Sequence, residues 1–342
     1  MKNSRCLLTL LCGLCLSSLP FAVAAQDRAG APAPAALLVV NQGDHNVSIV
    51  DPAKGQQVGT IAEDVPGMHG HEAATSPDGR LAYLPIYGST GVGKPGLDGR
   101  TMLVLDIATR KIVGKVDFGH GVRPHCVIYD PTSGLLYVTT ELDKTVTIIN
   151  PHTLKIVGTV PTGQEQSHML ALSSDGSRGY TANVGPGSVS VLDMKARKTI
   201  AVIPVAKMVQ RISVSRDDSM AFTSAQADPR LAVIDTATNK VKHWVKLPAV
   251  GYGTASTLDG RWLLVAMPSA AQVAVVDLNK LKVVRTIDVP SAPQEILMRP
   301  GGKTAYVSCN TTGRVAVIDL IGWKVKNIIP AGQGADGLAW AR

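Results

Sequence analysis

The sequence predicts an all-β protein, a seven-bladed β-propeller of four-stranded antiparallel blades closed into a ring by its own C-terminus. Three observations lead there. Residues 168–209 hold four short apolar runs, Leu170–Leu172, Gly179–Ala182, Val189–Leu192 and Ile200–Val205, separated by a Ser-Asp-Gly turn, a Gly/Pro loop and a basic turn. That order is strand, turn, strand, loop, strand, turn, strand. The unit then recurs. Counted six residues before the Pro or Ser of each Ser-Pro-Asp-Gly-like turn, the series is His71, His125, His168, Gln210, Tyr252, Gln294 and Asp336, and its last five steps are 43, 42, 42, 42 and 42 residues. A second register closes each Val-x-Val-Ile-Asp run at Asp51, Asp106, Asn150, Asp193, Asp235, Asp277 and Asp319. Both registers count seven, and a period of about 40–45 residues with four strands each is the mark of a propeller.

In chain order, residues 1–24 read as a signal peptide. Lys2 and Arg5 precede an apolar run from Cys6 to Leu19, and Ala22-Val23-Ala24 fits the small-x-small rule for cleavage. The run is too short to span a bilayer stably, so the mature chain is expected to carry no transmembrane segment and to be periplasmic or secreted. Residues 25–35, rich in Ala and Pro, read as a disordered leader, and residues 36–342 as the propeller. Cleavage removes Cys6, Cys12 and Cys15, leaving Cys126 and Cys309, which fall four repeats apart and are expected to stay unbridged and buried.

The first repeat supplies three strands, Leu37–Asn41, Val47–Asp51 and Gln57–Ile61, with no strand before them. The missing one lies at the far end, in Gly337–Trp340. Pairing the two ends removes the open edges of a linear stack.

Second strands carry Tyr-Val-Thr-Asn-like runs: Tyr137-Val138-Thr139-Thr140, Tyr180-Thr181-Ala182-Asn183 and Tyr306-Val307-Ser308-Cys309-Asn310. With the turn at Pro77-Asp78-Gly79 and the Val-x-Val-Ile-Asp strands, the mature chain resembles the YVTN-repeat family of exported seven-bladed propellers. The resemblance implies the fold over the whole mature chain. It leaves function open, since similar propellers include binding proteins, lactonases and cofactor-carrying reductases.

Propeller topology puts the loops before first strands and those between second and third strands on one face, the channel mouth. Six of the eight histidines fall there: His45, His69, His71, His120, His125 and His168. The same rim gathers Glu72, Glu141, Asn183, Arg211, Gln226, Tyr252, Glu295, Asn310 and Asp336. His71, His125 and His168 occupy one repeat position in three consecutive blades. Neutral imidazoles delivered there can meet at a divalent metal such as copper or zinc, with Glu72 or Asp336 completing or orienting the site. A small ligand held by Glu72, Tyr87, Glu141, Arg211, Tyr252, Glu295 and Asp336 is the parallel expectation, and a polar, water-filled channel is the plain one.

Nitrous oxide reductase looks similar in its histidine-lined mouth, although here three of seven ring positions are His. Cytochrome d1-like propellers bind a tetrapyrrole through His and Arg, and the resemblance offers His71, His125, His168 and Arg211 for that role. No C-x-x-C-H haem attachment motif is present. A lactonase-like reading would use His125, Glu141 and Arg211. No contiguous catalytic motif identifies a catalytic residue, so the enzyme and binding readings both stay open. A G-x-G-x-x-G match at Gly91, Gly93 and Gly96 lacks the helix that a phosphate cradle needs. The insertion containing it, Tyr87–Arg100, is expected to be a flap over the mouth.

The formal net charge of +8 falls to +6 once Lys2 and Arg5 are cut away. Much of the remaining positive charge lies in turns leading to the outermost strands, among them Lys54, Lys111, Lys155, Lys198, Lys240, Lys282 and Lys324. It either docks an envelope protein partner or guards strand edges, so an interaction scaffold is a third reading. Low aromatic content, 4%, and the export signal argue against nucleic acid. The protein is expected to be a monomer.

Overall fold

A computed structural model describes Met1 and residues 35–342. The proposed signal peptide and most of the leader lie outside these described residues. Seven antiparallel sheets follow one another, six of four strands and one in which a short fifth strand also pairs. Blade 1 joins Ala335–Ala341 to Ala36–Asn41, Asn46–Asp51 and Gln56–Ala62. Leu37 pairs with Trp340 and Val39 with Leu338, so the last strand of the chain is the innermost strand of the first blade, as expected from the sequence. The inner strands of blades 2 to 7 begin at His69, Pro124, Ser167, Ser213, Thr254 and Pro293.

The aspartates that gave the repeat register have a mechanical role. Each ends a third strand, and its side chain accepts backbone N–H groups of the following turn: Asp51 from Ala53 and Lys54, Asp106 from Thr109, Asn150 from His152 and Thr153, and Asp277 from Asn279 and Lys280, all within 2.8–3.1 Å. A carboxylate or amide there satisfies donors that the ladder leaves orphaned. The outermost strand then starts on an exposed lysine in six blades, Lys111, Lys155, Lys198, Lys240, Lys282 and Lys324, which discourages pairing with other chains.

Alternating Val, Ile and Leu of the middle strands fill the spaces between blades. Leu37, Leu84, Leu105 and Leu136 are fully buried, and so is Tyr87. Cys126 and Cys309 are free and buried, and burial pushes both thiols up to about 12.

The inner strands are not regular at the ring position. In blade 3, Val138 pairs with Val127 and Thr140 with Pro124, so His125 and Cys126 together oppose Thr139. Blade 7 repeats this with Gln294 and Glu295 opposite Ser308, and blade 1 with Asp336 and Gly337 opposite Val40. In blade 4, His168 is the extra residue between Ser167 and Met169. These are β-bulges, which re-aim side chains at the cost of a ladder bond. The hydroxyl of the second strand makes good that loss. Thr139 Oγ1 accepts the Cys126 N–H at 2.9 Å and donates to the His168 carbonyl of the next blade at 2.8 Å, and Ser308 Oγ accepts the Glu295 N–H at 3.0 Å. This explains the hydroxyl residue in Tyr137-Val138-Thr139 and Tyr306-Val307-Ser308.

Two outcomes follow from this architecture. Thr139→Val, which keeps the shape but strands a buried N–H and a buried carbonyl, is expected to cost about 2–4 kcal/mol in urea unfolding. Removing residues 335–342 is expected to abolish cooperative thermal unfolding and cause aggregation in light scattering, because it uncovers the edge of Ala36–Asn41.

Candidate functional site

The inner strands carry two sets of polar side chains, one at the ring position and one at the residue after it. The first set contains His71, His125, His168 and Asp336, and the second Glu72, Arg211 and Glu295. In four blades the residue two positions earlier has a left-handed backbone: Arg123, Gln166, Ala292 and Gly334, with φ of 49°, 51°, 56° and 73°. Three of these are non-glycine residues in a costly conformation, held by the packing around them.

The three histidines come together. Ring centroids are 4.9 Å apart for His71 and His125, and 3.5 Å apart for His125 and His168, which stack with an interplanar angle of 32°. Tyr87 stands edge-on to all three, at 5.1, 5.2 and 5.8 Å. Two carboxylates orient the outer two rings. Glu141, 2% exposed, accepts from His168 Nδ1 and, at 2.8 Å, from the Tyr87 hydroxyl. Asp336 faces His71 Nδ1 at 3.2 Å and accepts from Gln42. Opposite these contacts, His71 Nε2 is buried and without a partner, as is His125 Nδ1. Burial holds His125 well below the ordinary histidine range, reinforced by the neighbouring imidazoles. It also lowers His168 despite the opposing pull of Glu141.

As placed, no three His, Cys, Asp or Glu side chains among the described residues form a metal-holding group. Two imidazoles on one tetrahedral ion would have centroids about 5 Å apart, the spacing of His71 and His125 but wider than that of His125 and His168.

Below the histidines, Arg211 crosses the channel. It donates to Glu72 of blade 2 at 2.5 Å and to Asp336 of blade 1 at 3.0 Å, and its guanidinium lies 5.0 Å from the centre of the Tyr252 ring. At 3% exposure it is a buried cation, and breaking its pairs would leave buried carboxylates uncompensated. Burial alone would lower its pKa, but Glu72, Tyr252 and Asp336 outweigh that and hold it charged. Burial raises Glu72 well above its usual range and raises Glu295 too, whereas Asp336, also buried, is kept low by the His71 hydrogen bond and the Arg211 charge. One cation thus faces three carboxyls, of which burial makes Glu72 the hardest to ionise while Asp336 is kept low. Glu295 also accepts the Leu338 N–H at 2.6 Å, and Tyr252 accepts from Gln210 at 2.8 Å.

All ten site residues expected from the sequence therefore lie in or against the channel. Others of the rim do not. Asn183 is fully buried and spent on Ser167, Thr181, Ser188 and Ser190, and His120 is exposed on Asp143. The expected flap is smaller than Tyr87–Arg100, because the flanking strands run to Gly88 and resume at Asp98. It is pinned by Arg123, which donates to Asp98 at 2.5 Å and to the Lys94 carbonyl at 2.8 Å. Gln42 was missed. It follows a second strand, outside the inner-strand register, and only ring closure brings it to His71 and Asp336.

No protein-family model matches this chain, and none of the curated proteins is similar to it. Solved structures are similar in fold. A hydrazine synthase chain of Kuenenia stuttgartiensis shares 18% identity over 83% of this chain and 92% of that one, with a TM-score of 0.70. The dihydro-heme d1 dehydrogenase NirN, solved in complex with DHE, shares 16% over 89% of this chain and 74% of its own, with a TM-score of 0.63. A protein of unknown function from Desulfotomaculum acetoxidans reaches a TM-score of 0.73 at 14% identity, over 90% and 99% of the two chains. At these identities the likeness is one of fold, and it agrees with the architecture described above: the chain is a seven-bladed β-propeller.

Beside the mouth, Glu63 is 1% exposed. Its Oε2 accepts the Gly70 N–H at 3.1 Å, while Oε1 is buried without a partner. Burial pushes its pKa up to about 8. A raised carboxyl stabilises the fold fully below its unfolded value, near 4.5, and this contribution is lost as pH rises towards 8. Glu63→Gln is therefore expected to flatten the decline in urea midpoint between pH 4.5 and 8 relative to wild type, and to be the more stable of the two at pH 8.

Proposed function

We propose that this protein is an exported binding module whose channel mouth takes up a divalent transition metal, copper or zinc, through His71, His125 and His168. The orientation of the imidazoles carries the reading. An ionised carboxylate only accepts hydrogen bonds. Glu141 therefore fixes the proton of His168 on Nδ1, which leaves its lone pair on Nε2, while His71 Nδ1 lies between the Asp336 carboxylate at 3.2 Å and the Gln42 amide nitrogen at 2.7 Å. A histidine held from behind by a carboxylate is the usual arrangement of a metal-ligating imidazole. His71 Nε2 has no other use in the structure, and His125 offers a second unpartnered nitrogen. Burial keeps His125 and His168 neutral at ordinary pH, as ligation requires. Nitrogen donors of this kind suit zinc and copper. Binding would part His125 from His168 by about 1.5 Å, towards the spacing of two ligands on one ion.

A tetrapyrrole is less well supported. The guanidinium of Arg211, which would meet a carboxylate of such a ligand, is already engaged by Glu72 and Asp336. Lactonase-like chemistry meets the same objection at Glu141, which is spent on Tyr87 and His168. The signal-like residues 1–24 support a periplasmic or secreted setting, and no helix among the described residues is long and apolar enough to cross a membrane.

Elemental analysis of protein purified from a periplasm without chelators tests the reading. About one equivalent of copper or zinc per chain is expected, absent from the His71/His125/His168→Ala triple variant, and Glu141→Gln should weaken affinity about 10- to 100-fold. A folded wild-type protein that takes up neither metal, even after incubation with the ions, would overturn it.

A further inference from the structure

The three axial imidazoles are the inner part of a longer row. His69 lies 4.8 Å from His71 between ring centroids, and His45 lies 5.8 Å from His69. Five rings thus run from His168 through His125, His71 and His69 to His45, with no step longer than 5.8 Å. The row starts in the buried channel and ends in solvent, since His168 is 3% exposed and His45 is exposed.

The outer two rings are placed by specific contacts. His45 sits at the tip of the turn between Asn41 and Asn46 with φ of 50°, and its Nδ1 donates to the Met68 carbonyl at 2.9 Å. A carbonyl can only accept, so the lone pair of this exposed ring is on Nε2. His69 Nδ1 is buried and has no partner. Glu63 joins the two segments, since its N–H donates to the His45 carbonyl at 3.0 Å and its carboxyl accepts from Gly70. Nothing in the axial cluster requires these two imidazoles. Asp336 and the Gln42 amide already flank His71 at Nδ1, 3.2 and 2.7 Å away.

We infer that His45 and His69 form the uptake path of the mouth, taking a divalent transition metal from solvent and handing it along His71 to the buried imidazoles. The inference rests on the metal-binding reading. Two imidazoles sharing one ion have centroids about 5 Å apart. The successive pairs His45–His69, His69–His71 and His71–His125 lie near that spacing, at 5.8, 4.8 and 4.9 Å. An ion moving inward would keep two nitrogen ligands at every step and avoid being stripped of ligands in a low-dielectric channel. A path residue lowers the barrier in both directions. Its loss slows association and dissociation by the same factor and leaves the equilibrium constant unchanged.

The test follows zinc transfer from a coloured chelator to the metal-free protein by stopped flow, with release to excess chelator as the reverse measurement. Wild type is compared with His45→Ala, His69→Ala and His69→Gln. His45 is exposed, so its replacement leaves the fold intact, and thermal melts check the His69 variants. Each variant is expected to slow uptake and release together by about tenfold or more, with the final stoichiometry unchanged and the dissociation constant within about twofold of wild type. Rates equal to wild type overturn the path, as does the loss of one equivalent of zinc, which would make His69 a ligand of its own site. Wild-type protein that takes up no zinc overturns the metal-binding reading itself, an outcome distinct from unaltered rates.

Discussion

The pairing of the chain's last strand with its first is the constraint on which both fold and site depend. Trp340 opposite Leu37 and Leu338 opposite Val39 close the ring, and the same strand carries Asp336 to the channel. Asp336 then meets His71 of blade 2 and Arg211 of blade 5, and it accepts from Gln42 on the far side of its own blade. Until the two ends meet, His71 lacks the carboxylate that orients it and Arg211 lacks one of its two partners. The site is therefore a product of closure, and no single blade can form it alone.

Within the closed ring, buried charge is balanced across the channel. Arg211 reaches partners three repeats away along the chain in either direction, on Glu72 and Asp336, so it braces the channel walls as well as neutralising them. Such a bridge is worth little as net stability but is costly to break, because each partner would be left as a buried, unpaired charge. Among the imidazoles, burial and the neighbouring rings hold His125 and His168 below the ordinary histidine range. The mouth thus has an ionic floor in which both terminal guanidinium nitrogens are paired and Arg211 Nε alone lacks a partner, and an imidazole layer with unpartnered nitrogens on His71 and His125. This division is why a ligand is better sought among the rings than at the guanidinium.

The bulges connect these features to the repeat. A regular strand would turn alternate side chains to opposite faces, whereas a bulge sets His125 and Cys126 together opposite Thr139, and Gln294 and Glu295 opposite Ser308. The hydroxyls of Thr139 and Ser308 recover the lost backbone bonds. A feature that looks like a family signature in the second strand is, physically, the support for an irregularity in the first. The fold itself is compatible with many activities.

The sequence by itself determined the number of blades, their strands and the closing pair, because each depends on local patterning and on turn residues such as Asp51 and Asp277 that act within a few positions. It also placed all ten of the expected site residues near one mouth, since topology assigns each loop to a face. Only the tertiary structure decided how they are spent. That Arg211 is satisfied by Glu72 and Asp336, that Glu141 backs His168, that His125 stacks on His168, and that His69 and His45 extend the row outward all depend on distances between blades separated by tens or hundreds of residues. The period of a repeat carries no information about those distances. They are set by the bulges, by the packing of one blade on the next and by the closing of the ring.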